Sequence, residues 1–320
     1  MNRTIALLKQ KRRKMLAFGA IGAILGGALA FLVLDRGNAL SLAAGMLLGF
    51  FALSAMAGMC CIIAHFSNST INSPERLSIS LNSPVLACIP HCTGSDNHKN
   101  ASLTHLVESY NTLRNNIGYV SGNKRLIAVT SATPGDGKTT VAINLAKTYL
   151  GNGKKVAVID ADMRNPSVHK RFRLKNKSGL SEVLELDEQA LFIKLKEFPS
   201  LYVLCAGARP ADPSALLKSR QMKALLKQAL ELFDYVIIDA PPVIPVPDCA
   251  ALSQIVDTIV FVSRYGQTDM IAAHRACDAL ALANRRVAGG VLNDVPADVC
   301  KGYGKPAVRA KNRAAAAVMI

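Results

Sequence analysis

Two patterns of hydrophobic residues divide this chain. Residues 15–34 and 39–66 contain no Asp, Glu, Lys or Arg, and a helix of either length would cross the roughly 30 Å of bilayer hydrocarbon. From Leu126 onward, short apolar runs alternate with stretches of helical spacing. The first pattern predicts a transmembrane hairpin. The second predicts an α/β fold of the P-loop NTPase type, with a mainly parallel sheet and helices on both faces.

These patterns also set the expected boundaries. The chain divides into a basic cytoplasmic N terminus, the hairpin, a Ser-, Asn- and Pro-rich juxtamembrane linker, the α/β domain and a basic tail, at residues 1–14, 15–66, 67–100, 101–300 and 301–320. A short apolar strand, 84–90, falls inside the linker. We predict domain strands at 126–130, 155–160, 201–204, 235–239, 258–262 and 288–292. We predict helices at 101–119, 141–150, 213–233, 248–256 and 268–282.

The first hydrophobic segment has an alternative interpretation as a signal peptide. Basic residues 9–14 precede it, and Ala28-Leu29-Ala30 resembles a cleavage site. We favour the hairpin, because the run is long for a signal peptide and a second hydrophobic segment follows after only Asp35–Asn38. Under either interpretation, the positive-inside rule leaves the α/β domain in the cytoplasm.

The charge distribution argues against nucleic acid as a partner. The formal net charge is +16, but basic residues cluster at the two ends without the interleaved aromatic residues of a base-stacking surface. Basic flanks beside a membrane segment predict contacts with anionic inner-membrane lipid. The eight cysteines are dispersed, which fits a reducing cytosol better than a disulfide framework or a zinc site.

The stretch after the first domain strand has the composition of a phosphate-binding loop. Gly135 and Gly137 permit the backbone angles that turn N–H groups towards a polyphosphate at a helix N terminus. Lys138 would reach the β- and γ-phosphates of ATP, and the Thr139 hydroxyl would coordinate Mg²⁺. An ordinary glycine turn is the alternative, which the preceding strand and following helix disfavour. The predicted nucleotide-binding residues are Thr133, Pro134, Gly135, Asp136, Gly137, Lys138, Thr139 and Thr140.

Three acids follow two other predicted strands. Asp160 and Asp162 follow one strand and Asp239 ends another, so we expect all three beside the phosphate loop at the carboxyl edge of the sheet. Asp239 would hold Mg²⁺. Asp160 or Asp162 would add a metal contact and accept the proton of an attacking hydroxyl. Arg164 either pairs with an Asp or touches phosphate.

Residues 71–300 resemble the cytoplasmic domain of the bacterial tyrosine kinases attached to polysaccharide co-polymerases. The similarity lies in the loop 132–139, the segment 156–166, the strand 236–239 and several shorter matches, including Gly290-Val-Leu-Asn293. The resemblance implies Mg·ATP binding, phosphoryl transfer to tyrosine and assembly into a homo-oligomer at the bacterial inner membrane. Asn293 ends the last strand, where the related fold contacts adenine; a plain turn residue is the alternative.

The chain departs from this family at three places. Its tail holds one tyrosine, Tyr303, instead of a tyrosine cluster, which makes Tyr303 the phosphoacceptor candidate and puts multi-site autophosphorylation in doubt. The family's Glu-x-x-Arg-x-x-Arg helix has Asn111 in place of the first Arg, between Glu108 and Arg114. Only Asp35–Asn38 lies between the hydrophobic segments, so a separate polysaccharide co-polymerase or polymerase/export partner would supply the outside domain.

Two other functions remain open. A switch ATPase of the division-site or partitioning type carries a second lysine near the start of the loop, where this chain has Thr133. A membrane scaffold could bind ATP without transferring phosphate, which the loss of the tyrosine cluster favours. We expect Lys138→Met to abolish nucleotide binding or turnover and to leave the fold intact, because a surface-loop lysine should not support the core.

Overall fold

The structure of the chain is a computed structural model. It describes residues 51, 55, 56, 58, 69–91, 99–122, 124–186, 188–244 and 248–300. The N terminus 1–14, the first span, most of the second span and the tail with Tyr303 lie outside the described residues. Among the residues described, no helix has both the length and the apolar character needed to span a bilayer. The predicted hairpin therefore stays a prediction.

One eight-stranded sheet organises the residues from Thr70 onward. The strands are β1 Val85–Pro90, β2 Leu126–Ser131, β3 Val156–Asp160, β4 Ile193–Lys194, β5 Leu201–Leu204, β6 Tyr235–Asp239, β7 Thr258–Arg264 and β8 Gly289–Val295. Their order in the sheet is β1-β8-β7-β2-β6-β3-β5-β4, and all neighbours are parallel except β4 and β5. The mainly parallel α/β fold predicted from the sequence is confirmed.

Helices cover both faces of the sheet. Every residue of the central strand β2 is buried, as expected for a parallel strand between two helical layers, and the buried apolar residues form two clusters. The helices are α1 Pro74–Leu81, α2 Lys99–Ser121, α3 Lys138–Thr148, α4 Val168–Arg171, α5 Leu180–Glu185, α6 Pro213–Lys218, α7 Arg220–Leu232, α8 Asp248–Ser253, α9 Met270–Leu282 and α10 Ala297–Cys300.

Residues 70–90, which we predicted as linker, are integrated into the sheet domain. Helix α1 packs on β8, and β1 pairs with β8 in parallel. Gly290 makes this packing possible, because a Cβ there would lie 2.6 Å from Leu81 and 2.9 Å from Leu77 of α1. The Pro- and Ser-rich composition that suggested a linker instead supplies the helix start, where Ser73 caps α1 and Pro74 follows it.

Other elements also differ from the prediction, among them the unpredicted short helices α4, α5 and α10. The helix expected over 213–233 is interrupted at Ser219, whose extended backbone ends α6 and whose side chain caps α7 by accepting from the N–H of Met222. Strand β4 is only two residues long and carries no sequence pattern of its own. It forms the antiparallel edge of the sheet next to β5.

Candidate active site

The loop after β2 carries the conformation expected of a phosphate-binding loop. Gly135 and Gly137 have φ angles of 95° and 93°, and Gly137 is the N-cap of α3. In the described part of the chain, no protein acceptor is hydrogen-bonded to the backbone N–H of Gly135, Gly137, Lys138 or Thr139. These donors lie at a helix N terminus, the arrangement that binds phosphate oxygens.

Asp136 holds the loop in shape from within. Its carboxylate accepts hydrogen bonds from the Thr133 backbone N–H (3.1 Å) and from the Thr268 hydroxyl (2.6 Å). Burial raises the pKa of Asp136, and these donors act against that rise. Asp136, a predicted nucleotide-binding residue, is thus buried and stabilises the loop conformation, whereas Pro134 and Gly135 are exposed at the top of the loop.

Asn293 lies on the back of the same loop. Its side-chain amide donates to the carbonyl of Asp136 at 3.1 Å. A Cβ at Gly137 would lie 2.1 Å from this amide nitrogen and would displace the Asn293 side chain, and the φ of 93° itself favours glycine. The adenine contact predicted for Asn293 stays a prediction.

Lys138 is not the surface lysine that the sequence suggested. It is 8% exposed, and its ammonium lies 2.8 Å from Asp162 and 3.8 Å from Asp239. Burial lowers the pKa of Lys138, but the two carboxylates outweigh burial and raise the pKa overall. The reason we gave for expecting Lys138→Met to leave the fold intact is therefore wrong, since this substitution removes the cation among buried acids.

Asp239 and Thr139 form the part of the site suited to a divalent metal. The Thr139 hydroxyl donates to Asp239 Oδ2 at 2.6 Å and lies 2.8 Å from the hydroxyl of Ser167. Asp239 is fully buried, and its Oδ1 has no hydrogen-bond partner in the described structure. A buried carboxylate oxygen without a hydrogen bond, beside a hydroxyl, is an oxygen donor set of the kind Mg²⁺ prefers. Thr139 and Asp239, two of the three residues predicted to hold the metal, fit that role.

Asp160 lies beside Asp239 but has a different environment. The two residues are direct partners in the β3–β6 register. Both Asp160 oxygens accept backbone hydrogen bonds, Oδ1 from Asp162 (3.2 Å) and Oδ2 from Ser167 and Val168 (3.0 Å each). Burial, and then the Asp239 charge, raise the pKa of Asp160. Asp160 therefore shapes the segment after β3, and its oxygens are less free than those of Asp239.

Asp162 faces Lys138 directly. Its Oδ2 pairs with the ammonium, and its Oδ1 accepts from the backbone N–H of Asn165 at 3.0 Å. Lys138 contacts Asp162 and Asp239, and Asp160 lies beside Asp239 in the sheet. The three acids therefore lie around the first turn of α3, as the strand-end pattern predicted.

Arg164 pairs with a carboxylate, the first of the two roles that the sequence left open. Its guanidinium donates to both oxygens of Asp248, at 2.6 and 3.1 Å. The Ser214 hydroxyl also donates to Asp248, which is 1% exposed. Burial would raise the pKa of Asp248, but Arg164 and Ser214 lower it overall. The phosphate contact predicted for Arg164 stays a prediction.

Sequence reasoning missed two polar residues of the site. Ser167, which contacts Thr139, follows Asn165-Pro166 and precedes α4, a position typical of a helix cap. Thr268, which supports Asp136, is 132 residues away from it in sequence. A capping rule could have drawn attention to Ser167, whereas only the fold brings Thr268 to the loop.

Comparison with known proteins places this site in a family. A profile of the ParA family, described as NUBPL iron-transfer P-loop NTPase, matches residues 122–312. The tyrosine-protein kinase YwqD of Bacillus subtilis is 39% identical over 191 residues, which are 58% of this chain and 80% of YwqD. The chain belongs to the ParA-type P-loop NTPases and, among them, to the bacterial tyrosine kinases.

Solved bacterial tyrosine kinases share the fold. The kinase domain of Escherichia coli ETK superposes with a TM-score of 0.63 at 26% identity, covering 76% of this chain and all of that domain. Relatives also include much longer proteins. The chain is 31% identical to the tyrosine-protein kinase ptk of Acinetobacter johnsonii over 268 residues but spans only 36% of its length.

Proposed function

We propose that this chain is an ATP-dependent protein-tyrosine kinase anchored in the bacterial inner membrane, where it acts in exopolysaccharide or capsule production. The observation that carries the proposal is the grouping of Lys138, Thr139 and three carboxylates around a helix N terminus with unbonded N–H groups. The similarity of this chain to the tyrosine-protein kinases YwqD and ptk also supports phosphoryl transfer to tyrosine. A membrane hairpin, homo-oligomers and a separate polysaccharide co-polymerase or export partner remain parts of this proposal.

The residues divide the work of phosphoryl transfer. The loop N–H groups and Lys138 would bind the β- and γ-phosphates of ATP, which stabilises negative charge in the transition state. Thr139 and Asp239 would hold Mg²⁺, which neutralises phosphate charge when bound. Asp160 or Asp162 would accept the tyrosine proton, and Asp162 is the acid whose carboxylate contacts Lys138 directly.

Labelled ATP tests this proposal. We expect the purified full-length chain in detergent to transfer labelled phosphate to a copolymer of Glu and Tyr in the presence of Mg²⁺. Lys138→Met should lower transfer by about 10³-fold or more, and Thr139→Ala should also lower it while leaving the ion pairs of Lys138 in place. Thermal melts of both variants separate lost chemistry from lost folding.

The competing functions predict other results. Phosphate release without phosphotyrosine on the copolymer or on the chain itself would overturn the kinase in favour of a switch ATPase. ATP binding with neither product would favour the scaffold, the function that the single tyrosine of the tail suggests. Full transfer by Lys138→Met would show that the site lies elsewhere.

A further inference from the structure

A run of unbalanced positive charge borders the candidate active site. Between Asp162 and Glu182 the sequence contains no acid. The segment 170–177, which we name the basic ridge, exposes five cationic side chains. In the part of the chain that the structure describes, none of the five forms an ion pair. They are Lys170, Arg171, Arg173, Lys175 and Lys177.

The ridge is attached to the domain by the residues between its cations. Phe172 and Leu174 pack against the hydrophobic core. The Asn176 side chain donates to the carbonyl of Gly207 (2.7 Å) and accepts from its N–H (3.0 Å). Residues 171–177 thus alternate between exposed cations and anchoring side chains. Because the alternate side chains hold the backbone of this segment against the domain, the cations between them have fixed positions on the surface.

The ridge lies next to the phosphate-binding loop. It follows β3 at the carboxyl edge of the sheet, where Asp160 and Asp162 stand. The Arg171 guanidinium donates to the Thr140 hydroxyl at 3.0 Å, and Thr140 is in the first turn of α3, two residues after Lys138. A molecule bound to the ridge would therefore lie beside the site of phosphoryl transfer.

The chain's own tail is a poor match for this surface. Residues 301–320 contain Lys301, Lys305, Arg309, Lys311 and Arg313 but no acid. Like charges would repel the tail segment around Tyr303 from the ridge, whereas an acidic segment would be attracted to it. Charge complementarity therefore favours an acceptor outside this chain.

From the ridge, its position and the basic tail, we infer that the preferred phosphoacceptor is a tyrosine within an acidic segment of a separate protein, which docks on the basic ridge. The inference rests on the proposed kinase function and specifies its substrate class. Clustered charge at a binding site raises association rates by about 10- to 1,000-fold, and salt reduces the effect. The selectivity should therefore be strong at low salt and weak at high salt.

Matched peptides and matched variants test the inference. One peptide carries a single tyrosine flanked by Asp and Glu, and the other carries it flanked by Ser and Gly. The ridge variant combines Arg173→Asn, Lys175→Gln and Lys177→Gln. Asn suits the positive φ of 53° at position 173, and Arg171 is kept because it contacts α3. The control variant removes three exposed charges from α7 by Arg220→Asn, Lys223→Gln and Lys227→Gln.

We expect wild type to prefer the acidic peptide by about tenfold in kcat/KM at low salt. The ridge variant should lose most of this preference and keep its activity on the neutral peptide, and the control variant should behave as wild type. Equal use of the two peptides by all three proteins would overturn the inference but leave the kinase standing. Transfer to neither peptide by wild type, with no phosphotyrosine on the chain, would overturn the kinase itself.

Anionic lipid is the competing occupant of the ridge. The chain is reconstituted in vesicles with and without phosphatidylglycerol, because the proposed hairpin would hold it in either vesicle, and trypsin cleavage at the ridge reports whether lipid covers these cations. Protection of the ridge by the anionic vesicles, together with unchanged peptide preference of the ridge variant, would overturn the inference in favour of a membrane contact. Equal cleavage in both kinds of vesicle, together with lost peptide preference of the ridge variant, would support it.

Discussion

Two groups of carboxylates at the carboxyl edge of the sheet show opposite electrostatics. Asp160 and Asp239, beside the phosphate loop, have raised pKa values, chiefly because burial disfavours the charged form. Asp248 and Glu182, in helices α8 and α5, have lowered pKa values, because hydrogen-bond donors outweigh burial. Donors alone do not explain the difference, because three backbone N–H groups also donate to Asp160. Asp160 and Asp239 are direct partners in the sheet register, so the charge of Asp239 adds to burial at Asp160, whereas Asp248 is paired with Arg164.

The difference distinguishes structural acids from functional ones. Asp248 receives Arg164 and Ser214, and Glu182 receives the N–H groups of Gly179 and Ala208. Asp239 has one oxygen without a donor. Buried acids that lack donors cost folding free energy, and a bound cation would relieve that cost. The phosphate loop is therefore the region where the protein gives up stability for function.

The Arg164–Asp248 pair should give the largest stability effect of this comparison. Arg164→Ala leaves a buried carboxylate with only the Ser214 donor, and we expect the free energy of unfolding to fall by about 2 kcal/mol. Urea denaturation monitored by circular dichroism measures the change. Arg209→Ala, at an exposed arginine, is the matched control and should stay within about 0.5 kcal/mol of wild type. Equal stability of Arg164→Ala and Arg209→Ala would show that Arg164 does not stabilise the buried Asp248 carboxylate.

Replacing Glu182 should lower the free energy of unfolding by less than Arg164→Ala does, and this loss should depend on pH. Its Oε2 accepts from the Gly179 N–H (2.7 Å) and its Oε1 from the Ala208 N–H (3.0 Å). Glu182→Gln turns one acceptor into a donor, so we expect a loss of about 1 kcal/mol at pH 7. Because the pKa of Glu182 is lowered on folding, its stabilisation disappears as the pH falls through that lowered pKa. Exposed Glu185→Gln is the control, and a pH-independent deficit would contradict this explanation.

The sequence was sufficient to predict the parts of the fold that local pattern determines. Glycines, a lysine and a threonine between a strand and a helix predicted the loop, and strand-end acids predicted its neighbours. Burial was harder to predict, because Lys138 has the sequence context of a loop residue but lies among carboxylates. The strand Val85–Pro90 was predicted, but it was assigned to the linker, and the helix Pro74–Leu81 was missed, because a Pro- and Ser-rich composition is shared by linkers and capped helices.

The strand-end pattern predicted the acids beside the loop, but it did not predict the individual partners of other long-range pairs. Asp248 is 84 residues from Arg164, and Thr268 is 132 residues from Asp136. Each pair forms because parallel strands bring their carboxyl ends to one edge. Which side chains then meet there depends on strand order, and hydrophobic patterning does not specify strand order.

Asp239 should give an effect on stability of about the same size as Glu182, with the opposite sign. Because folding raises the pKa of Asp239, the ionised carboxylate destabilises the nucleotide-free protein, and this cost grows as the pH rises through the raised pKa. Asp239→Asn removes the charge and can keep a hydrogen bond to Thr139 with either end of its amide. We expect the variant to be more stable than wild type by about 1 kcal/mol at pH 8 and equal to it near pH 4.

Mg²⁺ should change the difference in stability between wild type and Asp239→Asn. Thermal melts of both proteins across the pH range, with and without Mg²⁺, measure this difference. Mg²⁺ should raise the melting temperature of wild type at pH 8, because the Asp239 carboxylate would help to hold it, and should have little effect on Asp239→Asn. A variant that is less stable than wild type at pH 8 would show that Lys138 already compensates the buried charge. The two groups of carboxylates would then differ in geometry but not in their cost to folding.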